Sequence, residues 1–163
     1  MARIVPGRVT HRHDGELVVF HIGMHINRWW RIDQWLPPFL AMPRMLRELS
    51  MDPDSGLLGF HILLGAGGPY TVQYWSSIDK LYAYAASPVH EHRPAWTAFN
   101  RRARRAAGAV GIWHETFLVD RAESMYVSTP PMGLPKATEL VAVAARHDRA
   151  RARFDDGRTA AAG

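Results

Sequence analysis

The stretch Leu57–Trp75, LLGFHILLGAGGPYTVQYW, holds two runs of β-forming residues around a glycine-rich turn. Bounded in this way, both runs read as strands of an antiparallel hairpin. Period two places Gly59 and His61 on one face with Leu57 and Leu63. The glycines do not make a phosphate loop. That motif needs a helix start after the glycines and usually a lysine, and here a strand follows.

Downstream, Ser77 is a natural N-cap, with Asp79 favourable in the first helical turn. Ile78, Leu81, Tyr82 and Ala85 repeat at helical spacing and form its buried stripe. The helix breaks at Ser87-Pro88, presents His90 and His92, and restarts at Pro94. Trp96, Phe99, Ala103 and Ala106 line the inner side of the second helix, and Gly108 ends it. Ala109–Val119 then reads as a strand, and Met125–Ser128 as a short further one.

Upstream, Leu17–Ile26 (LVVFHIGMHI) is the first strand. Its two faces differ: Val18, Phe20, Ile22, Met24 and Ile26 are purely apolar and should meet helices. Leu17, Val19, His21, Gly23 and His25 share the other face. A helical stretch from Trp30 to Leu49 follows, interrupted by Pro37, Pro38 and Pro43. Interior prolines remove hydrogen bonds and clash one turn back, so kinks or two short helices are expected.

The order is β-α-β-β-α-β, the ferredoxin-like α+β arrangement. Its four-stranded antiparallel sheet carries helices on one face and leaves the other open. The reading places His21, His25, His61 and His114 together on that open face. Two copies packed sheet to sheet would bury it, giving a homodimeric α/β barrel with one pocket per subunit. Residues 1–15 read as an N-terminal arm, 16–145 as the ferredoxin-like domain, and 146–163 as a disordered tail.

Composition excludes several functions. The chain has 163 residues, 47% hydrophobic and 21% charged, as in a soluble globular domain. Without cysteine it has no disulfide, thiolate metal site or cysteine nucleophile, which fits a cytoplasmic protein. The net charge of +5 is partly a tail effect: residues 146–158 hold five Arg against three Asp. Arg101, Arg102, Arg104 and Arg105 read as an outward helix face. No nucleic-acid motif accompanies them, so no nucleic-acid partner is expected. No apolar run approaches the ~20 residues of a membrane span, and no membrane partner is expected. There is no nucleophile elbow, dinucleotide fingerprint or Walker lysine. His21 and His25 lie about 13 Å apart along a strand, too far to chelate one ion, and no metal site is expected.

Asn27 at the end of the first strand, the Tyr74-Trp75 pair and Gly111-Ile112-Trp113-His114-Glu115-Thr116 resemble a family of monooxygenases of the dimeric α/β-barrel class. Tyr126 with Pro130-Pro131-Met132-Gly133-Leu134 extends the resemblance over roughly residues 16–145. It implies oxidation of a hydrophobic small molecule in a pocket between sheet and helices. His114, His61, Asn27 and Tyr74 are the candidate catalytic groups. His21, His25, Trp75 and Trp113 are candidate pocket walls, although large aromatics also fill ordinary cores. The class is similar in fold to haem-degrading monooxygenases and haem-dependent aldoxime dehydratases, so the cofactor reading is none or haem. In the haem-degrading relatives a histidine late in the second helix ligates iron. Laid without gaps, that position falls on Pro94, which cannot ligate, and leaves His90 or His92 as the ligand. A non-catalytic small-molecule binder is the remaining alternative.

Overall fold

The computed structural model describes residues 3–65, 67–87, 97, 100, 101, 106 and 108–156. The elements are β1 Val5–Arg12, β2 Val18–Ile26, α1 Ile32–Met51, β3 Leu57–Gly65, β4 Gly68–Trp75 and α2 Ile78–Ala86. They continue with β5 Val110–Leu118, β6 Tyr126–Thr129, α3 Leu134–Ala137, β7 Glu139–Ala142 and α4 Ala150–Asp156. The helix expected from Pro94, with His90 and His92 before it, falls largely outside the described residues.

β2 to β5 form one sheet in the order β3-β4-β2-β5, with every pair antiparallel. With α1 and α2 this is the ferredoxin-like order. The β3–β4 hairpin closes where Gly65 pairs with Gly68 and Gly67 adopts a φ of +83°. Gly67 then accepts a hydrogen bond from Ile26 N–H at 3.0 Å, tying the turn to the end of β2. Any side chain at Gly68 would strike the Met24 carbonyl.

Ser77 caps α2 as the sequence implies, its Oγ accepting from Lys80 N–H at 3.1 Å. Glu16 adds a second, long-range cap by accepting from Ile78 N–H at 2.5 Å. Leu81 is buried in a core with Val18, Leu49 and Trp75, against which Ile78 and Tyr84 pack, whereas Tyr82, expected in the buried stripe, is 54% exposed. The apolar face of β2 therefore meets helices, as its alternation implies.

The first helix differs from the sequence reading. α1 is one continuous helix despite Pro37, Pro38 and Pro43. The prolines cost the bonds to the carbonyls one turn earlier. Leu46 and Leu49, buried at 1% and 4% exposure, anchor the far half of the helix.

The ends of the chain also carry structure where an arm and a loose tail are expected. β1 pairs with β6 and β7 in a second, three-stranded sheet. α4 lies in the expected tail and buries Arg153, whose guanidinium donates to Glu123 Oε1 at 2.7 Å. The same group also donates to the carbonyls of His147 and Asp148 at 2.9 and 2.8 Å. A basic run reads as solvated in sequence because its acidic partner, Glu123, is thirty residues away.

Candidate functional site

Cross-strand register decides which side chains meet, since directly opposed residues share a face. His21 and His61 both pair with Val72, so they share the open face with Tyr74 two residues on. Ile22 pairs with His114. This places His114 on the helix side with Val18, Phe20 and Ile22, and corrects the expectation that all four histidines share the open face. Alternation within β5 separates two sets of residues; it cannot say which set meets the helices.

On the helix side, four strands supply one row: Ile62, Thr71, Ile22 and His114. The Phe20 ring lies 5.9 Å from the His114 imidazole. The core fills the other end of this face, where Val18 pairs with Trp75. At the His114 row, cover is incomplete: His114 is exposed and Ile62 is 52% exposed. The row thus sets an exposed imidazole beside the apolar Ile22 and Ile62, with Thr71 buried between them.

Along the same face of β4 runs a polar ladder that the sequence reading missed. Trp75 Nε1 donates to Gln73 Oε1 at 3.0 Å, and Gln73 Nε2 donates to Thr71 Oγ1 at 3.0 Å. All three side chains are buried. The visible signal was the polar alternation Thr71, Gln73 on the same face as Trp75. Trp75 is thus a core residue at 1% exposure, bonded through its indole nitrogen.

The open face holds a different group. His61 Nε2 accepts a hydrogen bond from Gly133 N–H at 2.6 Å, and Tyr74 packs edge-on at 6.3 Å. The nitrogen lone pair a base would use is the one that accepts this bond. α3 seats on β3 because Gly59 lacks a side chain: a Cβ there would lie 2.9 Å from Ala137 Cβ. Burial, and secondarily the Tyr126 phenol, raise the Tyr74 pKa; burial is also what raises that of Tyr126. Burial first, then Lys136, lowers the His61 pKa below 6.5.

The bond from Gly133 has a testable consequence. A protonated His61 would set two N–H groups against each other. The unfolded chain therefore takes up this proton first as pH falls through 6.5. The contribution of His61 to stability is present above that pH and is lost below it. His61→Gln, which keeps an acceptor for Gly133, should flatten the fall in urea-unfolding stability on acidification. An unchanged acid slope, or an imidazole NMR titration midpoint above 6.5, contradicts this.

The remaining candidates are spread along the sheet. His21 Nδ1 lies 3.7 Å from Glu115 Oε2, and its ring meets the edge of Phe117 at 5.5 Å. Trp113 lies over Tyr70 at 5.8 Å, in space that Gly23 leaves open. His25 Nδ1 donates to Asn27 Oδ1 at 2.7 Å at the exposed end of β2. The sheet thus separates His114 from His61 and Tyr74, and Asn27 sits at the strand end. Among the described residues, no three His, Asp or Glu side chains cluster to hold a metal ion.

Element order and strand register define a ferredoxin-like α+β protein. The chain belongs to the Monooxygenase af470-like family, whose model matches residues 17–134. This places it among monooxygenase-type enzymes. No curated protein matches it. The chain is similar in fold to an aldoxime dehydratase, OxdRE, solved in complex with butyraldoxime: TM-score 0.59, 19% identity, covering 84% of this chain and 43% of that one. The chain thus spans less than half the length of that dehydratase. It is also similar to SnoaB, a cofactor-independent oxygenase from Streptomyces nogalater: TM-score 0.46, 14% identity, covering 66% of this chain and 97% of that one.

Proposed function

We propose that this protein oxidises a hydrophobic small molecule with molecular oxygen between the sheet and its helices. The observation that carries the reading is His114, an exposed imidazole on the helix side of the sheet beside Phe20 and Ile22. A histidine is a suitable base near neutral pH. It would take a proton from an activated CH₂ or phenolic position of the substrate. The anion formed is electron-rich enough to reduce oxygen. With a CH₂ oxidised to a carbonyl, one oxygen atom enters the product and the other leaves as water, the substrate supplying all four electrons that reduce the oxygen molecule. Oxygen uptake with a panel of hydrophobic phenols and activated methylene compounds tests the reading. A compound that binds tightly without any oxygen uptake would support a non-catalytic binder instead.

The second reading is a haem enzyme, and the same residue favours it. The His114 imidazole is a nitrogen donor of the kind that could hold haem iron, and His90 and His92 remain the ligands proposed from sequence. Haem, when bound, would supply a redox-active iron at that imidazole. The chain's own part is to offer the nitrogen and enclose the macrocycle. Added haem should give a Soret band distinct from free haem that is lost in His114→Ala, His90→Ala or His92→Ala. A spectrum matching free haem removes this reading.

The open-face area around His21, Glu115 and Phe117, with Phe117 48% exposed, is the surface a second copy would bury in a homodimer. Sedimentation showing only monomer at micromolar concentration would refute that assembly.

A further inference from the structure

The outward face of α1 is apolar, where a surface helix is normally polar. Ile32, Leu36, Phe39 and Leu40 lie at 53%, 36%, 40% and 49% exposure, on the flank of α1 away from the buried Gln34. Their spacing of four, three and one places them on one helical stripe. Trp29 and Trp30 extend the stripe at 60% and 74% exposure. The stripe is fixed in place. Trp35 Nε1 donates to the Trp29 carbonyl at 3.0 Å. The rings of Trp29, Trp35 and Phe39 meet edge-on at 6.1 and 6.4 Å.

The rim of this ridge is basic. Arg28, Arg44 and Arg47 are exposed. Within residues 28–51 the acids are Asp33 and Glu48. Asp33 is engaged by Arg31 at 2.8 Å, and Glu48 accepts from the Tyr84 hydroxyl at 3.5 Å. An isologous contact between two copies of this face would bring like charges together, which disfavours a second copy as its occupant.

We infer that this face of α1 rests on an anionic lipid surface. Trp29 and Trp30 sit at headgroup level, and Arg28, Arg44 and Arg47 face the lipid phosphates. Apolar ridges flanked by tryptophan and arginine are the chemistry that lies in a membrane interface. Each arginine adds attraction to an anionic leaflet. No helix among the described residues is long and apolar enough to cross a membrane. The expectation of no membrane partner came from that lack of a span, which a helix lying flat does not need. None of these residues belongs to the His114 row, so the contact is separable from the chemistry proposed there.

Co-sedimentation of the full chain with phosphatidylcholine vesicles, and with vesicles of equal phosphatidylcholine and phosphatidylglycerol, tests this. Binding is expected to the mixed vesicles only, weakening with salt, with a blue shift of tryptophan emission. Trp30→Ser should weaken it about tenfold, the order expected for withdrawing one large aromatic side chain from an apolar setting. The paired change Arg44→Glu with Arg47→Glu should weaken it by at least about tenfold. Thermal melting should leave Trp30→Ser folded, since that side chain is mostly solvated. Equal binding to both vesicle types, or to neither, overturns the proposal. So does a Trp30→Ser variant that binds normally, or one that instead dissociates a dimer.

Discussion

His114→Ala is expected to lower the oxygen-uptake rate about a hundredfold or more while leaving the fold intact, the usual scale for losing a positioned general base. The imidazole is exposed and touches the sheet mainly through Phe20, so its removal opens no core cavity. The loss should fall on kcat, with a smaller change in KM, because Phe20 and Ile22 would still bind the apolar substrate. His114→Gln keeps a polar group of similar reach but no base, and should be almost as slow. The activity of His61→Gln should stay within a few fold, because His61 lies on the opposite face with its Nε2 accepting from Gly133. If the two variants reverse this order, the reacting centre belongs on the open face and the His114 row is only a packing feature.

Trp75→Ala is expected to destabilise the fold by about 3–5 kcal/mol, the range for truncating a large aromatic in a packed core. Trp75 is 1% exposed and joins β4 to both helices through Leu49 and Leu81. Truncation also strips Gln73 Oε1 of its indole donor, and an orphaned buried acceptor costs about 1–3 kcal/mol in its own right. Trp75→Phe separates the two effects by keeping most of the apolar volume while removing the N–H. It should fall between wild type and Trp75→Ala in urea unfolding. A loss below about 1 kcal/mol for Trp75→Ala would mean that the core is loose here or that the ladder is not formed.

The hairpin at Leu57–Trp75, the Ser77 cap and the apolar face of β2 were all readable because each depends on neighbours a few residues apart. Period two and helical spacing are local properties of the chain. So the ferredoxin-like order could be written down without coordinates, and the structure follows it. The prolines of α1 misled for the same local reason. Their penalty is visible in sequence, whereas the burial of Leu46 and Leu49 that outweighs it is not.

The candidate site was legible only as a set of residue types. His61, His114 and Tyr74 are legible in sequence as polar groups on strands, but their mutual placement depends on register. Ile22 opposite His114 and Val72 opposite His61 put the two imidazoles on opposite sides of one sheet. A one-residue shift in either pairing would reverse that. The roles of Gln73 and Gly133 were likewise hidden. Each makes its bond across the fold or inside the core, and neither carries a motif.

The sequence by itself determined the order of strands and helices, the helix cap, and the absence of thiol chemistry. Tertiary structure alone decided which histidine lies on the helix side of the sheet, that the chain's two ends fold into a second sheet and a helix, and that α1 turns an apolar stripe outward. The division has a physical cause. Backbone hydrogen bonding and side-chain periodicity act over a few residues. Strand register, ion pairs such as Arg153 with Glu123, and the exposure of a helix face are set by segments that meet only once the chain has folded.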